Sequence, residues 1–201
     1  QRITFTKFGN SQYKSREMSD AFKTLEKTML LKLIYPVENL KLPTVSNLRK
    51  APKLQLLDTG LVNYSSGLQK ELFMSDLIDV VYLGKIAEHI IGQEILGMES
   101  SVRASLDFWT SERRNSQAEV DFIYRYKDMI IPIEVKLGAS GKLRSLHQFV
   151  NLAPHSWAVR FYSGKMVVEE ARTVGGKKYK LINLPHYMAG KLDLVLERII
   201  K

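Results

Sequence analysis

The 201 residues contain no cysteine. That excludes a disulfide framework, a thiolate zinc site and a cysteine nucleophile, and it suits a reducing interior such as a cytoplasm. No apolar run approaches the roughly 20 residues that a transmembrane helix needs, and no signal-peptide pattern is visible. A cytoplasmic location without a membrane partner is therefore expected. The four histidines (His89, His147, His155 and His186) lack metal-ligand spacing and read as structural or surface groups. A phosphate-binding loop is missing too. Leu83-Gly84-Lys85-Ile86 comes nearest but lacks the upstream glycine and the hydroxyl, so ATP hydrolysis is not expected of these residues alone. There is no internal repeat and no low-complexity tract. Position 1 is Gln1 rather than Met, and the chain reads as a fragment of something longer.

What is present suffices for one ordinary core or two small ones, at 45% hydrophobic residues. The formal charge is +9 and is uneven. Residues 1–50 carry ten Lys and Arg against four Asp and Glu, whereas the remainder carries twenty against seventeen. A basic segment of this kind is a footprint for nucleic acid, a solubilising surface, or a face for an acidic neighbour.

The patterning predicts a strand over 1–9 and a helix over 21–31, capped by Ser19-Asp20, with an apolar stripe of Phe22, Leu25, Met29 and Leu30. An extended arm follows at 33–37. This order is compatible with the second half of a winged helix-turn-helix, which either enters a DNA groove or serves as a packing module. Residues 40–53, with Pro43, Pro52, Ser46 and Asn47, read as a linker. The expected organisation is a winged-helix-like segment at 1–42, a linker at 43–53 and an α/β domain at 54–201. Within that domain the pattern predicts strands at 54–57, 108–110, 119–124, 130–136, 157–161, 166–168 and 179–182. It predicts helices at 77–96, 143–152 and 192–200. Asp58, just after the first of these strands, reads as a capping carboxylate.

The chemistry concentrates on two of the strands. Glu119-Val120-Asp121-Phe122-Ile123-Tyr124 and Ile130-Ile131-Pro132-Ile133-Glu134-Val135-Lys136 are separated by the polar Arg125-Tyr126-Lys127-Asp128, which suits a hairpin. Side chains alternate along a strand, so Glu134 and Lys136 share a face. A carboxylate and an ammonium on a buried strand must pair or hold a metal. Glu88 lies on the flank of the apolar face of the 77–96 helix, either paired with Lys85 or aimed into the same site. Glu88, Asp121, Glu134 and Lys136 are the candidate catalytic residues. Glu88, Asp121 and Glu134 are hard oxygen ligands suited to Mg²⁺ or Mn²⁺, with Lys136 placed to position a water or a phosphate oxygen. The alternative is a strand-surface salt bridge. Gln148 reads as a surface residue near the cleft.

An ordered set of motifs gives a resemblance. Leu57-Asp58-Thr59-Gly60-Leu61, Gly84-x-x-x-Glu88, Glu119-Val120-Asp121-Phe122, Pro132-Ile133-Glu134-Val135-Lys136 and Ser145-Leu146-x-x-Phe149 together resemble the C-terminal domain of unknown function of a family of bacterial and archaeal AAA-type ATPases. That domain is similar to the PD-(D/E)XK, or restriction-endonuclease-like, fold, and in the family a winged-helix segment precedes it. The resemblance implies a mixed sheet flanked by helices. It also implies a Mg²⁺- or Mn²⁺-dependent nuclease-like site, with Glu88 as helix glutamate, Asp121 as metal aspartate and Glu134/Lys136 as the E-x-K pair. The implied partners are nucleic acid, DNA before RNA, and the chain's own N-terminal ATPase core, through which alone ATP would enter. Family members often carry Arg where Thr110 stands here, so a phosphate contact is either missing or supplied by Arg113 or Arg114. A non-catalytic domain that regulates or targets the ATPase core is the alternative function.

Overall fold

The computed structural model describes residues 2–65, 67, 80–98, 105–112, 117–138 and 141–200. The expectations for 77–79, Arg113 and Arg114 lie outside them.

Nine strands and five α-helices are described. In chain order they are α1 (Ser15–Lys27), β1 (Leu31–Ile34), β2 (Pro36–Val37), β3 (Lys53–Leu56), α2 (Thr59–Ser65), α3 (Val80–Met98), β4 (Asp107–Thr110), β5 (Glu119–Tyr126), β6 (Met129–Val135), α4 (Arg144–Leu152), β7 (Trp157–Tyr162), β8 (Val167–Arg172), β9 (Lys178–Pro185) and α5 (Leu192–Ile199). Short 3-10 turns cover Phe8–Asn10 and His186–Lys191. The expected α/β class holds: a mixed seven-stranded sheet, ordered β2-β4-β5-β6-β7-β9-β8, is flanked by helices. β1 and β3 form a separate antiparallel pair. No helix among the described residues is long and apolar enough to cross a membrane.

Alternation explains the layers. Along β6, Ile131 and Ile133 point to one face and pack with Phe122, Val159, Phe161 and α3 residues Ile91 and Ile95. Ile130 points to the other, with Ile123, Ala158 and Leu181 under Leu146, Phe149 and Val150 of α4. A strand apolar on both faces must be covered on both, and α3 with α5 on one side and α4 on the other supply the cover. Pro132 is tolerated in so central a strand because β6 acquires β7 as a parallel neighbour only from Ile133 onward. The hairpin turns at Lys127-Asp128, with Tyr126 opposite Met129 and Lys127 in the left-handed region at φ 53°.

The N-terminal expectations need correction. Residues 1–9 form no strand. Arg2 makes an isolated bridge to Lys53, after which Phe5 and Phe8 fold onto Phe22, helped by the left-handed backbone of Lys7 and Gly9. Three aromatics gain more by clustering than by extending without a partner strand. Helix α1 starts at Ser15, six residues before the predicted start, because Glu17 accepts a hydrogen bond from the Lys14 main-chain N–H at 2.7 Å. It stops at Lys27, and Met29 has φ 59°. The segment read as a linker is tied down: Asn47 N–H donates to Pro36 O at 2.8 Å, Ser46 Oγ to Asp107 at 2.7 Å and Asn47 Nδ2 to Glu38 Oε2 at 2.5 Å. Its last residue, Lys53, opens β3. Asp58 caps as expected, accepting the Gly60 N–H at 2.5 Å.

Candidate active site

β5 and β6 pair antiparallel from Tyr126/Met129 to Phe122/Ile133. The next positions in register are Asp121 and Glu134. The Val135 N–H donates to Asp121 Oδ2 at 2.8 Å. Glu134 and Lys136 share a face as the alternation requires, with Lys136 Nζ 2.6 Å from Glu134 Oε1. The Lys136 chain lies along the backbone of Gly141, where a Cβ would stand 3.3 Å from its Cδ. His186 Nε2 donates to Lys136 O at 2.9 Å, and the Lys136 N–H donates to Phe161 O at 2.8 Å, so the end of the E-x-K segment is fixed from two sides.

Glu88 approaches from α3. Its partner is not Lys85, which is exposed, but Lys53 on β3. Lys53 Nζ stands 2.9 Å from Glu88, 3.0 Å from Glu119 and 3.9 Å from Asp121, and donates to the Asp121 carbonyl at 3.4 Å. The Phe108 ring lies 4.9 Å away and Phe122 5.8 Å, so the ammonium also meets two aromatic faces. Only 4% of Lys53 is exposed. Arg2 Nε adds a 2.8 Å ion pair to Glu119.

The four predicted residues therefore gather at one end of β5 and β6, but three others join them that sequence reasoning passed over: Lys53, Glu119 and Arg2. A signal for Lys53 existed. Lys53 and Gln55 share one face of a four-residue strand and are both buried. Gln55 Nε2 donates to His89 O at 2.9 Å, one residue along α3 from Glu88. Two polar residues at a spacing of two in an otherwise apolar strand mark a face turned toward polar partners.

The protonation equilibria follow from this crowding. Burial pushes the Asp121 carboxyl up to about 7, with the Glu134 and Glu88 charges adding to it and Lys53 and the Val135 N–H opposing. Burial also raises Glu134, although Lys136 and Lys53 pull the other way. At Glu88 burial is outweighed by the charge and hydrogen bond of Lys53, and its carboxyl falls below the usual value. Lys53 is held protonated by Glu88, Asp121 and Glu119 against its own desolvation. Were all four carboxyls ionised, they would exceed the three cations by one, and the raised Asp121 and Glu134 carboxyls relieve that excess.

Glu134 Oε2 is buried and has no hydrogen-bond partner. An orphaned, desolvated oxygen on hard-ligand chemistry beside Asp121 fits one face of a Mg²⁺ or Mn²⁺ shell, completed by water. Glu88 does not complete that shell: no three Asp, Glu or His among the described residues are disposed to hold a metal ion together. The Lys53 ammonium occupies the space between Glu88 and Asp121. His155 Nε2 donates to Ile130 O at 2.8 Å, and Thr110 is buried on β4 opposite Glu119.

Comparison with known proteins gives two matches, both to families without an assigned function. The model of the domain of unknown function DUF8612 matches residues 1–72, a stretch that runs through the expected linker and includes Lys53. The model of the domain of unknown function DUF4143 matches residues 83–187, which hold Glu88, Glu119, Asp121, Glu134 and Lys136. No curated protein and no solved structure matches the chain. The DUF4143 match covers more than half of the 201 residues, and the chain belongs to that family.

Proposed function

We propose that this chain is the nuclease-like C-terminal region of a cytoplasmic AAA-type ATPase, with a restriction-endonuclease-like domain that binds DNA and cleaves it with Mg²⁺ or Mn²⁺. The observation that carries the reading is the partnerless, buried Glu134 Oε2 beside Asp121, with Lys136 on the other Glu134 oxygen. Asp121 followed by Glu-x-Lys on adjacent antiparallel strands supports it, as does the mixed sheet with helices on both faces. The exposed Lys14 just before α1 and Arg16, Lys23 and Lys27 on it supply the charge that a phosphate backbone attracts.

In this reading Asp121 and Glu134 hold the ion, and the Val135 N–H orients Asp121 for it. A bound ion would lower the pKa of its water and neutralise charge on the scissile phosphate. Lys136 turns its ammonium toward the incoming phosphate oxygens or the attacking water, and Gly141 leaves room for its stem. A bound ion would favour the ionised form of Asp121, whose carboxyl burial holds at about 7.

A second reading rests on Lys53. A cluster already cross-neutralised by a buried ammonium is also what a non-catalytic domain would keep, regulating or targeting its ATPase core. Cleavage of end-labelled single- and double-stranded DNA with Mn²⁺ or Mg²⁺, with Glu134→Gln alongside, separates the two. Metal-dependent cutting lost in a variant of unchanged circular dichroism supports the nuclease. Absence of cutting by the wild type, alone and joined to its ATPase core, leaves the non-catalytic reading.

A further inference from the structure

The mixed sheet ends differently on its two sides. At one edge β2 is two residues long, contains Pro36 and is covered: Val37 bridges Ser46, and the Asn47 N–H donates to Pro36 O at 2.8 Å. A short strand, a proline and a covering loop are the usual means of blocking an edge. At the other edge β8 has none of them. It runs six residues without Pro or Lys and pairs with β9 in unbroken register from Val167↔Asn183 to Arg172↔Lys178. Among the described residues β9 is its one neighbouring strand. Met166, Val167 and Val168 are exposed along it, and Val174, just beyond, is 86% exposed.

Hydrogen-bond parity limits what can add to this edge. The Thr173 N–H donates inward to Lys177 O at 3.0 Å, the next pair of the β8–β9 register. Main-chain groups alternate in direction along a strand. Residues 167, 169, 171 and 173 therefore bond β9, and Val168, Glu170, Arg172 and Val174 turn their main-chain groups outward. An antiparallel copy of β8 must match outward residues with outward residues. Centring such a pair on Glu169, Glu170 or Arg172 sets like charges against each other on the axis, and centring it on Val168 leaves Glu170 against Met166. Centring it on Ala171 sets Glu170 against the partner's Arg172 twice, Val168 against the partner's Val174 twice, and the small Ala171 against its own copy. Opposite charges directly across a ladder stabilise it and like charges do the reverse. Arg172 already stands opposite Lys178 on β9, a like charge that the partner's Glu170 on its other side would balance.

We infer that β8 is a self-docking edge: two copies of this chain pair β8 antiparallel about Ala171 and join their seven-stranded sheets into one. Main-chain bonds supply the affinity and the Glu170–Arg172 pairs fix the register. The inference is independent of any reading of the Asp121–Glu134 cluster, which β7 and β9 separate from this edge.

Sedimentation equilibrium of the whole chain tests this, with circular dichroism alongside. The wild type should sediment at twice the chain mass of 23.0 kDa. Glu170→Arg and Arg172→Glu each place two like-charged pairs in the interface and should sediment as monomers. Both residues are exposed, so both variants should keep the wild-type circular dichroism. The charge swap Glu170→Arg/Arg172→Glu restores both pairs and should return the dimer, and an equimolar mixture of the two single variants should form a heterodimer. A dimer that the single variants leave intact, or one that neither the swap nor the mixture restores, overturns the inference. A wild type that is monomeric overturns it too; if its β8 amides then gain exchange protection when the ATPase core is joined, the edge belongs to that core.

Discussion

Asp121 and Glu134 follow directly in register after the Phe122–Ile133 pair, and the residue beyond Glu134 closes the gap: Val135 donates its N–H to Asp121 Oδ2 at 2.8 Å. The bond steadies the carboxylate, but burial and the neighbouring Glu134 and Glu88 charges prevail and lift its pKa to about 7. An unfolded aspartate titrates near about 3.9. Folding therefore favours the protonated form. That contribution is complete below the unfolded value and is lost as pH rises through about 7. Asp121→Asn keeps an acceptor for Val135 and cannot ionise. In urea unfolding it should be more stable than the wild type at pH 8, on the order of 4 kcal/mol, and equal to it near pH 4. A variant weaker than the wild type at pH 8 would mean that Lys53 stabilises the carboxylate outright.

The helix carrying Glu88 is placed by a missing side chain. At Gly92 a Cβ would fall 2.6 Å from Gln55 Oε1 and 3.1 Å from Phe122 Cζ. Gln55 cannot swing aside, because its Nε2 is held by Leu56 O at 3.2 Å and His89 O at 2.9 Å. Alanine would gain up to about 1 kcal/mol of helix propensity, but overpacking typically costs about 1–3 kcal/mol. Gly92→Ala should destabilise by about 1 kcal/mol net. Because α3 must retreat from β3, it should also lengthen the Lys53–Glu88 contact, visible in a crystal structure of the variant. A neutral or stabilising result would show that Gln55 has room to move.

Much of this was legible in the sequence, and the failures share a cause. β5 and β6 could be read because short apolar runs with a polar break alternate cleanly, and alternation alone put Glu134 and Lys136 on one face. Helices α4 and α5 followed from their stripes. Lys53 could not be paired with Glu88 by any spacing rule, since 35 positions separate them. Lys85, a neighbour on the same helix turn, was the only partner that local reasoning could offer. The first nine residues failed for a related reason. Alternation predicted a strand, but a strand needs a partner, and the aromatic side chains found Phe22 instead.

A second, half-buried ammonium finishes α4. Lys177 Nζ donates to Val150 O at 2.8 Å, Ala153 O at 2.7 Å and His155 O at 3.0 Å, the carbonyls that a helix end leaves without partners. Charge-assisted bonds are worth about 1.5–3 kcal/mol each at most and are not additive. Lys177→Met keeps the stem and removes all three. It should lower stability by about 2–4 kcal/mol, with the loss of amide-exchange protection concentrated in the last turn of α4. A uniform loss of protection across the sheet would instead place Lys177 in the cooperative core.

His155 supplies the acid limb of the stability profile. Its Nε2–H donates to Ile130 O at 2.8 Å, and its Nδ1 accepts the Trp157 N–H at 3.2 Å, so both nitrogens are committed while the ring is neutral. Burial, with the nearby Lys177 charge, holds the ring below its ordinary pKa despite Asp128 and these hydrogen bonds. A second proton would have to displace the Trp157 N–H from Nδ1. The stabilisation is therefore complete above about 6.5, the unfolded value, and is lost as pH falls toward the lower folded value. Because Asp121 acts in the opposite direction over the same range, the limb is read as the difference in urea midpoint between the wild type and a His155 variant, which should shrink between pH 7.5 and 5. His155→Gln should start lower at pH 7.5 and converge on the wild type by pH 5, because a side chain that does not titrate has no such limb. A gap between the two proteins that stays constant across this range would assign the acid limb to another group and leave His155 as a packing residue.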